Sequence, residues 1–332
     1  MMKCIFVFFF VVTSVLLTSA RSWQTDILGD SYEHTVVEMP DDYSGEVVAS
    51  IVRHRGVATK DVAMLYVHGY NDYFFQSQLG DSVVAHGYGF YAVDLRKYGR
   101  SLREGQRPFE LRNIREYYED LDSAISVMRE DGWTKVVMAA HSTGGLITSC
   151  YLSERNIPQV RALVLNSPFL DMNLGGFMEK VAVPVVSVLP FKNISISQGD
   201  SNAYAQSLLK RYHGEWDYDT NWKYEISPDV TSGWISAIHK AHRFIHKKAD
   251  VKVPILLMHS DNSVSGSCWS EAFNHGDAVL DVDDISKYGK RLGDDVTEVT
   301  VAGGLHDLIL SKPEVRRFVY WRMFAWLESN GF

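Results

Sequence analysis

The sequence predicts an α/β fold in which a mostly parallel central sheet is covered by helices on both faces. From about Gly45 to the end of the chain, short β-branched runs alternate with amphipathic helical patterns, which is typical of parallel strands joined by crossover helices. The chain has 332 residues, of which 46% are hydrophobic and 22% are charged. A chain of this length buries roughly 75% of the surface that its unfolded form exposes, so its core needs no zinc or disulfide.

The clearest strands are short apolar runs with helical patterns between them. These strands are predicted at 63–67, 89–93, 135–139, 162–165, 255–258 and 298–301. A helix at 114–128 is indicated by Ile114, Leu121 and Ile125, whose three- and four-residue spacing gives one buried face. The last helix is predicted to follow Ser311, whose side chain is expected to cap the first amides.

Composition and charge exclude several function classes. The chain carries 33 basic and 41 acidic side chains, a net charge of −8, so it has no positive electrostatic field that would attract nucleic acid. No phosphate-binding glycine motif is present, and no cofactor is predicted. His239, His242 and His246 lie at helical spacing, but no cysteine or carboxylate joins them at clear ligand spacing, so no metal is predicted.

Residues 1–20 have the pattern of a secretory signal peptide. Lys3 precedes an apolar run at 5–12, and the segment ends at the small residue Ala20. The apolar run is too short and too interrupted to span a ~30 Å hydrocarbon core comfortably, although an uncleaved anchor is the alternative. We therefore expect a secreted or periplasmic protein whose residues 21–332 form a single domain.

Two cysteines are left after removal of the signal peptide. Cys150 and Cys268 permit one disulfide at most. Because Cys150 lies in the stretch 146–152, which is interpreted as a buried helix, a packed free thiol is the expected state.

The alternation of strands and helices breaks at about 168–230, and we call these residues the cap segment. The segment is interpreted as an insertion that covers the sheet. Its apolar residues include Phe169, Phe177, Val183, Val185, Val186, Leu189, Phe191, Trp216 and Trp222. They are expected either to line an apolar substrate pocket or to attach the cap segment to the core.

The strongest local signal is a strand that runs into a serine and continues as a helix. The strand at 135–139 is followed by the run AHSTGG at 140–145. This order is typical of a nucleophile elbow, in which the serine occupies a strained turn and the residues two positions away are small. Ala140 and Gly144 meet that requirement, so Ser142 is the candidate nucleophile.

A second motif, HGY at 68–70, ends the strand at 63–67. Acyl transfer needs two backbone donors directed at the developing oxyanion. The amide of Tyr70 and that of Thr143, directly after the candidate nucleophile, are the predicted pair. His68 is expected to orient this loop rather than to titrate.

With the run DLRKYGRS at 94–101, these motifs resemble the alpha/beta-hydrolase superfamily, in particular its serine-aminopeptidase-like and monoacylglycerol-lipase-like (lysophospholipase-like) branch. The resemblance covers roughly 63–326 at the level of the fold. Lys97 replaces the first glycine of the branch's Asp-x-Arg-Gly-x-Gly-x-Ser motif, and Ala140 replaces the first glycine of its nucleophile elbow. The resemblance implies that Ser142 attacks an acyl carbon, that a histidine takes its proton, and that an acid orients this histidine.

The superfamily's chain order of serine, acid and histidine implies a base near the C-terminus. His306 follows the strand at 298–301 across a short glycine-containing turn and precedes Asp307, as in the family's terminal Gly-x-x-His-Asp/Glu stretch. His306 is therefore the predicted base.

The position of the carboxylate that would orient His306 departs from the family pattern. After the strand at 255–258 the family usually reads His-Gly-x-x-Asp-x-x-Val, whereas this chain has Ser263 where the carboxylate belongs. A serine cannot stabilise an imidazolium as an anion does.

An Asp-x-Val pattern returns at Asp277, directly before a predicted helix. Residues 262–276 are therefore interpreted as an insertion within an extended acid loop at about 260–282. Asp277 is the predicted acid, with Asp261 and then Asp281 as the alternatives.

These inferences predict a serine hydrolase that cleaves carboxylic esters of the monoacylglycerol or lysophospholipid type through an acyl-enzyme. One alternative is an aminopeptidase or amidase of the same fold, which would need an anionic site for the substrate's free amine, and a second is a non-catalytic ligand-binding member. The candidates for that anionic site are Glu215, Asp217, Asp219 and Glu225. The expected partner is a small acyl ester, and the basic residues at 240–252 permit peripheral contact with an anionic lipid surface.

Overall fold

The computed structural model describes residues 21–172, 183–187 and 190–332. The predicted signal peptide and two apolar residues of the cap segment, Phe177 and Leu189, lie outside these residues. Among the helices of the described residues, none is long and apolar enough to cross a membrane.

The described residues alternate between strands and helices along the chain. The strands are β1 (Gln24–Asp26), β2 (Gly29–Asp42), β3 (Gly45–His54), β4 (Val62–Val67), β5 (Gly89–Asp94), β6 (Lys135–His141), β7 (Val160–Asn166), β8 (Ser195–Ile196), β9 (Val230–Thr231), β10 (Ile255–Ser260) and β11 (Val296–Val301). The helices are α1 (Ser77–Ala85), α2 (Tyr117–Glu130), α3 (Thr143–Glu154), α4 (Val183–Ser187), α5 (Ala203–Leu208), α6 (Ser232–Lys248), α7 (Val282–Gly289) and α8 (Pro313–Ser329).

Nine of these strands form one sheet in the order β1-β2-β3-β5-β4-β6-β7-β10-β11. The pairs from β5 to β11 are parallel, which confirms the predicted fold class. The pairs from β1 to β5 are antiparallel and form an extension that the sequence did not indicate. The reason lies in β2, which is largely exposed and mixes acidic with apolar residues, so it lacks the apolar run of a buried strand.

Side chains alternate between the two faces of the sheet along each strand, so each face presents apolar side chains that helices cover. On β4, Leu65 belongs to the apolar core that α2, α3 and α6 cover, whereas Met64 belongs to the core beneath α1 and α8. The buried face predicted at 114–128 is present, although Ile114 lies in a 3₁₀ turn before α2 begins. Cys150 is buried in α3 and Cys268 is exposed, and both are free thiols.

The predicted cap of the last helix is wrong. Helix α8 begins at Pro313 after Lys312, and no side chain caps its first amides. The Ser311 hydroxyl instead accepts a hydrogen bond from the Leu305 amide at 2.9 Å. Ser311 therefore fixes the loop that leads to His306 rather than the helix.

Lys97, which stands at a family glycine, adopts a left-handed backbone with φ of 66°. Such a backbone favours glycine, but here the side chain contributes a contact. The ammonium lies 2.7 Å from an Asp42 carboxylate oxygen and 4.1 Å from the centre of the Tyr43 ring, and Lys97 is only 1% exposed. The ion pair joins the turn after β5 to the end of β2.

We expect Lys97→Ala to lower the free energy of unfolding by about 3 kcal/mol, because it leaves the partly buried Asp42 carboxylate without its cation. Burial opposes ionisation of Asp42, but hydrogen bonds from Lys97 and Ser44 hold its pKa below the usual value. A carboxyl group of this kind stabilises the fold above its unfolded pKa near ~4 and loses that effect as pH falls through the folded pKa.

The difference between wild type and Lys97→Ala should therefore shrink as the pH falls below about 4. Denaturant unfolding between neutral and acidic pH measures it. Lys97→Met, which retains most of the packing, is the matched control and should show the same pH dependence. A stability difference that does not change with pH would contradict the ion-pair explanation.

Candidate active site

Ser142 lies in a strained turn between β6 and α3. Its backbone angles are φ 51° and ψ −117°, an uncommon conformation for a residue with a side chain. A Cβ atom on Gly144 would lie 2.5 Å from the carbonyl oxygens of Val67 and His68, so only glycine fits there. Ala140, at the other small position, is buried. The first turn of α3 thereby holds Ser142 at the carboxyl edge of the sheet.

His306 follows β11 and lies between Ser142 and Asp277. Its Nε2 atom is 3.0 Å from the Ser142 hydroxyl, and its Nδ1 atom is 2.9 Å from an Asp277 carboxylate oxygen. Ser142, His306 and Asp277 are 7%, 3% and 0% exposed. With the proton on Nδ1 donated to Asp277, Nε2 is free to accept the hydroxyl proton of Ser142. The three residues thus form a continuous hydrogen-bonded chain.

The Asp277 carboxylate is fixed by the backbone of its own loop. One oxygen accepts hydrogen bonds from the amides of Val279 and Leu280, both at 2.8 Å, and the other oxygen faces His306. Asp277 is therefore oriented before any substrate arrives.

Ser263, at the family's acid position, lies directly beside Asp277. The Val264 amide donates to the Asp277 carbonyl at 2.7 Å, and the Asp277 amide donates to the Asn262 carbonyl at 2.9 Å. These bonds hold the chain on either side of Ser263 against Asp277. Residues 265–276 form the excursion that begins and ends at this contact. The Ser263 hydroxyl accepts a hydrogen bond from the Val282 amide at 2.9 Å. The insertion lengthens the loop and leaves the carboxylate at its end.

The two alternative acids have other partners. An Asp261 carboxylate oxygen accepts a hydrogen bond from the Gly303 amide at 3.0 Å, in the turn before His306. Asp281 accepts one from the Asp283 amide and caps α7. Of the three candidate carboxylates, Asp277 is the one bonded to His306.

His68 orients the loop that contains Tyr70. Its Nε2 atom accepts a hydrogen bond from the Leu95 amide at 3.0 Å, so the ring proton is on Nδ1 and is donated to the Gly69 carbonyl at 2.7 Å. That carbonyl and the Tyr70 N–H belong to one planar trans peptide and point in opposite directions. Fixing the carbonyl therefore fixes the direction of the Tyr70 amide.

The predicted oxyanion donors both lie close to Ser142. A Cβ on Gly69 would be 2.9 Å from the Ser142 Cβ, so the loop before Tyr70 passes directly against the serine. Thr143 is the first residue of α3, where amides have no acceptor within the helix and the helix dipole favours negative charge. The two segments that contain the predicted donor amides therefore meet at Ser142.

A buried polar network that sequence reasoning missed holds the loop of His306. The Asn166 side chain donates to Asp307 at 2.7 Å and accepts from the Leu308 amide at 3.1 Å. Gln76 donates to the second oxygen of Asp307 at 3.2 Å. The signal available in the sequence was that Asn166 ends a strand at the same edge as Ser142. Together these bonds fix the backbone on either side of Asp307.

The network also contains a group of donors of the kind that bind metals. Single ligand atoms of Asp72, His141 and Asp307 lie within 4.8 Å of one another. Desolvation by burial lowers the pKa of His141, so this imidazole is neutral at neutral pH. The Lys223 ammonium lies 3.0 Å from Asp72, and Asp307 accepts the amide hydrogens described above. One Asp72 oxygen is thus paired with a cation, whereas its other oxygen is buried without a hydrogen-bond partner among the described residues.

The histidines of α6 hold the beginning of the cap segment. The Nε2 atoms of His242 and His246 donate to the carbonyls of Phe169 and Leu170 at 2.9 and 2.7 Å. Burial lowers the pKa of His242 to about 3, so it remains neutral. The Phe169 amide in turn donates to the Ser142 carbonyl at 2.9 Å. These histidines therefore position backbone next to the elbow.

Part of the apolar cap segment attaches it to the core. Trp216 packs against Phe75 and donates its indole N–H to the Leu310 carbonyl at 2.8 Å. Nearer Ser142, the Trp234 ring stacks on Phe169, and Tyr70 packs on its edge. Of this second group, Trp234 is buried, whereas Phe169 and Tyr70 are partly exposed.

One cleft in the described residues lies away from this site. It has a volume of about 510 Å³, and its lining residues include Arg155, Val160 and Pro254. These residues precede or begin β7 and β10, whereas Ser142 and His306 follow the carboxyl ends of their strands. The cleft therefore belongs to the opposite edge of the sheet.

Comparisons with solved structures give the same fold. A monoacylglycerol lipase from Paleococcus ferrophilus is 19% identical with a TM-score of 0.60, and the match covers 86% of this chain and all of that one. A soluble variant of monoglyceride lipase from Saccharomyces cerevisiae, in complex with a substrate analogue, is 15% identical with a TM-score of 0.62, covering 89% and 96%. Mouse alpha/beta hydrolase domain-containing protein 10 is 13% identical with a TM-score of 0.55, covering 89% and 99%.

Comparison with curated protein sequences finds no match. A comparison with protein families matches residues 58–268 to the family Hydrolase_4, described as "Serine aminopeptidase, S33". The matched residues include Tyr70, Ser142 and Thr143 and end before Asp277 and His306. They make up more than half of the chain, and with the strand order and the elbow they show that the chain belongs to this alpha/beta-hydrolase family.

Proposed function

We propose that the protein is a serine hydrolase that cleaves carboxylic esters of the monoacylglycerol or lysophospholipid type. The observation that carries the proposal is the hydrogen-bonded chain from Ser142 through His306 to Asp277. A serine hydroxyl with a histidine at its oxygen and a carboxylate behind that histidine is the arrangement used for acyl transfer in unrelated folds. Membership of a hydrolase family agrees with it.

In the proposed mechanism, the Ser142 oxygen attacks the acyl carbon while Nε2 of His306 takes its proton. The amides of Tyr70 and Thr143 stabilise the oxyanion, and Asp277 stabilises the imidazolium. The tetrahedral intermediate expels the alcohol, which receives the proton from His306, and the acyl group stays on Ser142. Water then attacks this acyl-enzyme with His306 as base and releases the carboxylic acid.

Two observations favour an ester with an apolar acyl group over an aminoacyl substrate. Phe169, whose amide bonds to the Ser142 carbonyl, is partly exposed and stacks on Trp234, so its ring offers apolar contact near the serine. Of the cap carboxylates considered for an amine site, Glu215 pairs with Arg316 and Glu225 with Arg211. Two of the structural neighbours are monoacylglycerol or monoglyceride lipases, which agrees with this substrate class.

Export and lipid contact are part of the same proposal. Cleavage after residue 20 would deliver residues 21–332 outside the cytoplasm. The intact mass of the exported protein measures the position of this cleavage. Its basic residues at 240–252 would then be available to an anionic lipid surface.

The proposed nucleophile is tested by intact mass after brief treatment with a fluorophosphonate, which reacts with activated serines. We expect one adduct on wild type and none on Ser142→Ala, because Ala lacks the hydroxyl that His306 activates. Circular dichroism of both proteins controls for folding. An adduct on the Ser142→Ala variant, or none on folded wild type, would contradict the assignment.

The substrate class is tested with a series of p-nitrophenyl esters and monoacylglycerols of increasing chain length beside aminoacyl p-nitroanilides. We expect kcat/KM to rise with acyl length, since each methylene buried against the apolar side chains adds up to about 0.8 kcal/mol. Aminoacyl anilides should be at least about 100-fold poorer, because Glu215 and Glu225 are already paired with arginines and Asp217 and Asp219 are exposed to water. Preference for the anilides would favour the aminopeptidase alternative.

The acid is tested by replacing each candidate carboxylate with its amide. Asp277→Asn should lower kcat by about 10³ to 10⁴-fold, because an amide does not stabilise the imidazolium and favours the wrong tautomer of His306. Asp261→Asn and Asp281→Asn are matched controls that should stay within about tenfold of wild type. A large loss in either control, with Asp277→Asn near wild type, would reassign the acid.

A further inference from the structure

The cap segment is bound to the loop of the oxyanion donor through the side chain of Asn71. The Asn71 amide nitrogen donates to the Tyr224 carbonyl at 2.8 Å, and the Tyr224 amide donates back to the Asn71 side-chain oxygen at 2.8 Å. The two bonds match the pairing of adjacent peptides in a sheet. Both polar groups of the Asn71 side chain are therefore used to hold one residue of the cap segment, Tyr224.

Asn71 also has an unusual backbone conformation. Its φ is 48°, in the left-handed region that asparagine tolerates better than other residues with a side chain. It is bonded directly to Tyr70, whose amide is one of the predicted oxyanion donors. A change of backbone angles at Asn71 would thus rotate the peptides next to that donor.

Neighbouring contacts join the same two segments. The Lys223 ammonium lies 3.0 Å from an Asp72 carboxylate oxygen, with the two residues 7% and 1% exposed. The Tyr70 hydroxyl donates to the Pro228 carbonyl at 3.0 Å. The cap segment therefore contacts Tyr70, Asn71 and Asp72 in succession, and a buried ion pair opposes separation because it would leave an unpaired charge.

We propose that Asn71 is a positioning residue that couples the docking of the cap segment to the oxyanion hole. His68 fixes the loop from the side of the sheet, and Asn71 fixes it from the side of the cap segment. We call the two hydrogen bonds between the Asn71 side chain and Tyr224 the clamp. When the clamp is formed, the Tyr70 amide points at the developing oxyanion. When it is broken, the loop relaxes and this donor is misaligned. The inference rests on the proposed hydrolase function.

The expected effect is on kcat rather than KM. Losing one oxyanion donor costs about 10² to 10³-fold in kcat, and a misaligned donor should cost less, about 10-fold to 10²-fold. An interaction made only in the transition state leaves the ground-state complex unchanged. We therefore expect KM to stay within about twofold of wild type.

The test compares Asn71→Gly, Asn71→Asp and Arg107→Ala using a short soluble p-nitrophenyl ester. Glycine keeps the left-handed backbone available while removing the clamp. Aspartate keeps the size and the bond from the Tyr224 amide but cannot donate, and it guards against failure of Asn71→Gly to fold. Arg107→Ala removes different contacts to the cap segment, at the Ser195 hydroxyl and the Asp229 carbonyl, and neither contact involves residues 70–72.

Hydrogen exchange of peptides that cover 69–76 is the second readout, and it does not depend on activity. We expect faster exchange and lower kcat in both Asn71 variants, with Asn71→Asp the milder, and neither change in Arg107→Ala. Unchanged exchange and kcat in the Asn71 variants, or an equal loss of kcat in Arg107→Ala, would overturn the proposal.

Failure of the proposed function has a different signature. In that case wild type itself neither hydrolyses the ester nor reacts with a fluorophosphonate, whereas hydrogen exchange still shows whether Asn71 holds the loop. Slow exchange in an inactive wild type and fast exchange in Asn71→Gly would retain the clamp and discard its catalytic role. A fall in Asn71→Gly stability with normal kcat would show a merely structural contact and overturn the inference.

Discussion

The close contact between the first turn of α3 and the end of β4 sets the position of the candidate site. A Cβ on Gly144 would lie 2.5 Å from two carbonyl oxygens of the β4 end, and a Cβ on Gly69 would lie 2.9 Å from the Ser142 Cβ. Ser142 and the loop of Tyr70 are therefore held together by backbone packing. Side chains then need only refine the direction of the two amides, as His68 does through its bond to the Gly69 carbonyl.

Much of this arrangement could be predicted from the sequence because it follows from local patterns. Buried parallel strands are continuous apolar runs, so β4, β6 and β10 were evident, and the fixed order of serine, acid and histidine led to His306. The antiparallel strands β1 and β2 were not predicted, because an exposed edge ribbon needs no apolar run. The return of an Asp-x-Val pattern indicated Asp277 despite the insertion before it.

Contacts between residues distant in the sequence could not be predicted in this way. The bonds between Asn71 and Tyr224 join residues 153 apart, and those between Asn166 and Asp307 join residues 141 apart. The residue spacing within one segment does not indicate which distant residue it will contact. Such pairs are created by the packing of the whole sheet and the cap segment. A polar residue at the end of a buried strand was the only local signal, as with Asn166.

The insertion in the acid loop gives the cap segment a second connection to the site. The Trp269 ring stacks on His213 with the ring centres 3.4 Å apart, and its indole N–H donates to the Ser207 hydroxyl at 3.1 Å. The excursion that ends at Asp277 thus contacts the cap segment, as the oxyanion loop does through Asn71. The cap segment therefore packs against the loop of Asp277 and against the loop of Tyr70. Its described residues are therefore a structural part of the candidate site, because they contact the loops on which two of its predicted groups lie.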